Sequence, residues 1–123
     1  VNLKGAKSAI FVGALDKNGS ATSKANIASY SNRAGTDAVV QKQFLMAGVA
    51  ANQTGLAGTS FAAPIVSGYA AILGSKFKTA GATQITNQLL NTARTDTING
   101  YNVAVHGRGE ASLTRALAPV AIR

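Results

Sequence analysis

The chain has 123 residues, 46% hydrophobic and only 13% charged, with no cysteine. A typical domain has about 25% charged residues, so this composition excludes a disordered charged tail, a coiled coil and a solvated linker. The lack of cysteine excludes a disulfide framework and a thiolate zinc site but leaves the compartment open. Twelve Lys and Arg against four Asp and Glu give a net charge of +8. The basic residues are scattered, without a run or interleaved aromatics, which reads as a solvated surface rather than a nucleic-acid stacking platform. Thirteen glycines show no G-X-Y period, and no apolar run approaches the roughly 18 residues of a membrane span. The start, Val1-Asn2-Leu3-Lys4-Gly5, has neither an apolar h-region nor an initiator Met, which reads as a processed chain or a fragment.

Residues 8–15, Ser-Ala-Ile-Phe-Val-Gly-Ala-Leu, form an apolar run bounded by turn residues, the pattern of a strand buried on both faces. Asp16-Lys17-Asn18-Gly19 follows, and Asn-Gly is a strong hairpin signal because both residues tolerate positive φ. Residues 24–30 are the candidate returning strand, 31–36 a loop, and Val39-Val40 and Phe44-Leu45-Met46-Ala47 two further short strand candidates. Gly48 to Gly58 is small and polar, without periodicity, and reads as an irregular loop.

From Ser60 to about Phe77 the sequence predicts a helix. Ser60 can cap it, and Pro64 falls in the first turn, where its missing N–H costs little. No charged residue occurs from Phe61 to Ser75, and small residues fall on every face. A helix apolar all round is expected to be buried on all sides. The rest of the chain is short for covering it, so part of the covering structure is expected to lie outside this sequence. Residues 82–93 read as an amphipathic helix with Ile85, Leu89 and Ala93 on one face. Asn99-Gly100 marks a turn, Tyr101 to Val105 a short strand, residues 106–109 a loop and Glu110 to Leu117 a terminal helix closed by Pro119. No internal repeat is present, and residues 1–123 read as one unit.

The candidate chemistry lies in Gly58-Thr59-Ser60-Phe61-Ala62-Ala63-Pro64. A nucleophilic serine needs an exposed, fixed Oγ and N–H donors facing the developing oxyanion. A serine opening a buried helix meets both needs, because the first-turn N–H groups are unsatisfied and the dipole favours negative charge. Gly58 permits a tight approach of loop to helix, and Ala62 and Ala63 leave room for substrate. The competing reading makes Ser60 a helix cap only.

The string closely resembles the nucleophile motif of the subtilases, the subtilisin-like serine peptidases. The resemblance extends to Ile10–Asp16, to Ile27-Ala28-Ser29-Tyr30-Ser31-Asn32-Arg33-Ala34-Gly35, and to Leu45–Val49, where the family's Ala-Pro-Gly lacks its proline. It continues through Ile65–Ala71, where the family's usual His is Ile65, and Tyr101–Ala111 with Gly107-Arg108-Gly109. It implies an α/β fold with a largely parallel sheet, helices on both faces and a buried central helix starting at the nucleophile. It makes Ser60 the catalytic residue, with its backbone N–H as one oxyanion donor, and Gly58, Thr59, Ala62, Ala63 and Pro64 its motif. The family's Asp, His and oxyanion Asn precede the serine. Asp16 and Asp37 lack an Asp-Ser/Thr-Gly context, Asn18, Asn26 and Asn32 lack the oxyanion context, and the lone His106 follows Ser60. The resemblance therefore implies the C-terminal part of a peptidase domain, inactive alone, whose partners are a polypeptide substrate and the upstream half. It also implies secretion from a bacterium, and the ending at 112–120 looks like that of autotransporter peptidase domains.

Ser75-Lys76-Phe77-Lys78 fits Ser-x-x-Lys without its companion motifs, and Gly107-x-Gly109 lacks a dinucleotide-binding context. Asn18-Gly19-Ser20 and Asn52-Gln53-Thr54 fit the glycosylation sequon. One His and four scattered acids make no metal site, and no cofactor is expected; calcium bound through carbonyls, frequent in the family, leaves no sequence trace. A non-catalytic subtilase-like module and a basic nucleic-acid-binding domain remain as other readings. The exposed core face leaves self-association open.

Overall fold

A computed structural model describes residues 6–29, 31–49 and 62–122. Strands β1 (Phe11–Leu15) and β2 (Phe44–Gly48) pair in parallel, in register from Phe11 opposite Phe44 to Leu15 opposite Gly48. Between them runs a crossover that contains the short helix α1 (Ala38–Lys42). Three helices pack together after β2: α2 (Ala62–Lys76), α3 (Ala82–Asn91) and the terminal α5 (Leu113–Leu117), while α4 (Val103–His106) lies against α1 and β2. The chain is an α/β structure.

Side chains alternate across the strands, and both faces of the pair are covered. Ala14 of β1 and Leu45 and Ala47 of β2 join Ala62, Val66 and Leu73 of α2, Leu89 and Leu90 of α3 and Ala116 of α5 in one core. Leu15, Phe44 and Met46 turn the other way, onto Ala25, Ala34 and Ile98. A near-continuous apolar run is what a strand buried on both sides requires, and the β2 residues Phe44 to Ala47 are all buried.

The closing Gly107-Arg108-Gly109 widens this sheet. Arg108 N–H donates to Phe44 O, Met46 N–H to Gly109 O and Ala111 N–H to Met46 O, each at 2.8 Å. Residue 110 thereby bridges β2 on one side in parallel and Arg94 on the other antiparallel. Gly107 has φ +57° and Gly109 φ +108°, and a Cβ on Gly107 would stand 2.5 Å from Phe44 Cβ. Only glycine adopts these angles without strain, and only glycine fits so close to β2.

Four local expectations change. Val39-Val40 is helical, because Asp37 Oδ1 accepts from Val39 N–H at 2.9 Å and nucleates α1 as its N-cap. Tyr101 to Val105 is likewise no strand: Asn102 Oδ1 accepts from Ala104 N–H and caps α4. The terminal helix begins at Leu113, not Glu110, with Ser112 as its cap. The returning strand shrinks to single bridges, Leu15 with Ile27 and Ala25 with Ile98, and the loop closes at Ser20 and Ser23 rather than at Asn18-Gly19. No non-glycine residue among those described has positive φ, and Gly19 is not in that region either. Gly19 is needed for space instead, since a Cβ there would collide with the Thr97 carbonyl oxygen.

Helix α2 departs from the all-round burial expected of it. Ala62, Val66 and Leu73 are buried against the strands and neighbouring helices. Ala63, Pro64, Ser67, Gly68, Ala71 and Ile72 are exposed, and nothing lies within 4 Å of a Cβ placed on Gly68. Among the described residues, one face of a helix that carries no charge before Lys76 is therefore open. The reason is packing supply: the two strands, α3 and α5 meet a single face.

Candidate active site

The segment from Gly48 to Ala62 joins the carboxyl end of β2 to the amino end of α2. In open parallel sheets, ligands sit outside the carboxyl ends of the strands. The expected nucleophile Ser60, with Gly58 and Thr59, falls in this segment and lies outside the described residues. Phe61 lies outside them too, whereas Ala62, Ala63 and Pro64 are described. Ala62 is fully buried and seats the first turn of α2 on the core, whereas Ala63 and Pro64 face outward. Pro64 stands third in the helix, where no intrahelical N–H bond is due. A hollow of about 200 Å³ flanks this turn, lined by Ile10, Val12, Ala63, Val66 and Ala70 among others. Ser8, Ser67 and Thr86 complete its lining.

His106 is the chain's only histidine. It is buried at the end of α4, and Asn102 N–H donates to its Nδ1 at 3.0 Å. The ring stacks on Tyr101, with centroids 5.7 Å apart. Burial lowers its pKa, and the positive charge of Arg33 pushes the same way against the Asn102 backbone contact. The ring is packed as part of a short helix, with Nδ1 engaged by the Asn102 backbone.

The acids are equally committed. Asp16 Oδ1 accepts from Asn26 N–H at 3.0 Å, and Asp37 caps α1. Asp96 pairs with Arg94 at 2.6 Å on the surface; that hydrogen-bonded partner lowers its pKa and raises that of Arg94. Asn26 Oδ1 accepts from the amide of Asn99 at 3.1 Å. Lys76 of the Ser-x-x-Lys decoy donates to Leu117 O and lies over the Phe77 ring at 5.2 Å. No cluster of three metal-ligating side chains occurs among the described residues, and none of their helices is long and apolar enough to cross a membrane.

Glu110 is the polar residue that sequence reasoning passed over. It is 7% exposed, accepts from the Thr97 hydroxyl at 2.6 Å and from Gly19 N–H at 3.1 Å, and so ties the 16–26 loop to the closing segment. Desolvation raises its pKa, against these two hydrogen bonds and the Arg94 charge. The signal was an acid standing alone in the mostly apolar or small closing stretch.

The subtilase family model matches residues 4–111, from ahead of β1 through the closing segment. The chain belongs to the subtilase family, whose members are serine peptidases. No curated protein and no solved structure matches it significantly.

Proposed function

We propose that this chain is the C-terminal part of a serine endopeptidase domain and carries its nucleophile, Ser60. The observation that carries the reading is the string Gly58–Pro64, whose last three residues form the first turn of α2, in a chain of subtilase sequence. In the complete domain, Ser60 Oγ attacks the scissile carbonyl as an upstream His takes its proton. The Ser60 N–H and an upstream Asn side chain hold the oxyanion, and water then releases the acyl group. The substrate is a polypeptide, the upstream half of the domain is the first partner, and secretion is part of the same reading.

Two features support the incompleteness of the machinery. The single His is buried in α4 with Nδ1 engaged, and of the four acids Asp37 caps α1, Asp16 holds Asn26, Asp96 pairs with Arg94 and Glu110 is buried against Thr97 and Gly19. A serine without a base is a weak nucleophile, so the isolated chain is inactive. The open face of α2 is where the upstream half would add its cover.

Fluorophosphonate labelling of this chain and of the longer protein, read by peptide mapping, tests the proposal. Label on Ser60 in the longer protein alone is the expected result. Label in the isolated chain would place a base within these residues, and label in neither would favour a non-catalytic module. In the active protein, Ser60→Ala is expected to lower kcat about 10⁶-fold, the order found when the nucleophile of subtilisin is removed; a loss below tenfold would refute the assignment.

A further inference from the structure

Five large apolar side chains are exposed among the described residues: Val39, Ile72, Tyr101, Val103 and Val120. Three of them gather on one surface. Val39 lines a hollow of about 470 Å³, and Tyr101 and Val103 line a second of about 280 Å³. Lys42 and Arg108 line both hollows and form the ridge between them, and Lys7 stands at the first. The ridge is fixed in place: Arg108 Nε donates to Lys42 O at 3.0 Å, and Arg108 N–H is tied to Phe44 O of β2. The Tyr101 wall is fixed too, by its hydroxyl donating to Gly107 O and by the His106 stack.

No acid lines either hollow. The sequence has four. Asp37, the nearest in sequence, directs Oδ1 to the α1 amino end, Asp16 holds Asn26, Asp96 holds Arg94, and Glu110 is buried. Three cations beside two apolar depressions, with no carboxylate between them, call for a ligand bearing both negative charge and apolar side chains.

We propose that this ridge and its two hollows form a docking surface for an extended polypeptide segment in which carboxylate side chains alternate with apolar ones. The carboxylates meet Lys7, Lys42 and Arg108, and the apolar side chains enter the hollows on either side of the ridge. Concavity favours side chains of a strand-like segment over a lipid surface. A single aromatic, held by its own hydroxyl and by His106, offers no stacking path for nucleic-acid bases. A second copy is a poor occupant, because each copy carries +8 and its own acids are engaged.

The test uses a fluorescent synthetic peptide of alternating Glu and Leu. Two control peptides replace Glu by Gln or Leu by Gly, and oligo-dT and anionic phosphatidylserine vesicles are run beside them. The mixed peptide is expected to bind at least about tenfold more tightly than either control, and to weaken as salt rises from roughly 50 to 300 mM. K42E/R108E, checked for native circular dichroism, is expected to lose at least about tenfold, with recovery when Lys replaces Glu in the peptide. K42R/R108K retains binding. Equal binding of the Leu-free acidic peptide, tighter binding of oligo-dT or vesicles, concentration-dependent dimer formation that K42E/R108E abolishes, or unchanged binding by folded K42E/R108E would each overturn the proposal.

Discussion

Strand β2 and helix α2 are both nearly free of charge, yet they end in different surroundings. Phe44, Leu45, Met46 and Ala47 are buried on both sides, between α2 on one face and the Ala25, Ala34 and Ile98 cluster on the other. In α2 only one stripe reaches the core, and Ile72 is 45% exposed. An apolar sequence thus licenses burial without ensuring it; what stands opposite decides. The closing segment stands opposite β2 and supplies hydrogen bonds as well as cover, whereas the described residues place nothing against the outer face of α2.

Substitution along this contrast should sort by surroundings rather than by hydrophobicity. Leu45→Ala, which removes a fully buried side chain from between β1 and α2, is expected to cost about 2–5 kcal/mol in urea unfolding. A cost below 1 kcal/mol would mean that the core is looser than its packing implies. Gly107→Ala comes next, at about 1–3 kcal/mol from the backbone conformation alone; the same method reads it, and a neutral result would show that residues 107–109 can leave β2 without loss.

Protonation sharpens the comparison further, because two buried titratable groups, His106 and Glu110, flank the closing segment and oppose each other. Glu110 has a raised pKa, so ionising it costs the folded state. Stability should fall as pH rises from its ordinary 4.5 through the raised folded value and then level off. His106 has a lowered pKa, so stability is full above its ordinary 6.5 and is lost as pH falls from there towards the lowered folded value. Stability measured against pH should lose the first slope in Glu110→Gln and the second in His106→Gln. Unchanged profiles would show that neither group is desolvated. The smallest effect is expected at Ile72→Ala on the open face, within about 0.5 kcal/mol in this chain. A larger loss there would show that residues outside the described set already cover α2.

The elements that periodicity carries are legible in the sequence. The apolar run ending at Leu15, the run at Phe44–Ala47 and the amphipathic helix from Ala82 formed where expected, because burial on two faces or one stripe leaves its period in the residues. The string Gly58–Pro64, which resembles the subtilase nucleophile motif, was legible, and the helix predicted from it is present from Ala62. Shorter elements were not. Val39-Val40 and Val103–Val105 have strand-forming residues, but Asp37 and Asn102 cap a helical turn at each. Asn18-Gly19 looked like a hairpin turn, yet its glycine serves the approach of Thr97 and donates to Glu110 across 91 positions of sequence. The sequence by itself determined which segments are apolar enough to pack and which family the residues resemble. Tertiary structure alone decided which face of α2 is covered, that the Gly-Arg-Gly segment joins the sheet, that Glu110 is buried, and that Val39, Tyr101 and Val103 meet beside Lys42 and Arg108. Local pattern encodes a segment's own period; burial and charge juxtaposition depend on partners far away in the chain, which no local pattern contains.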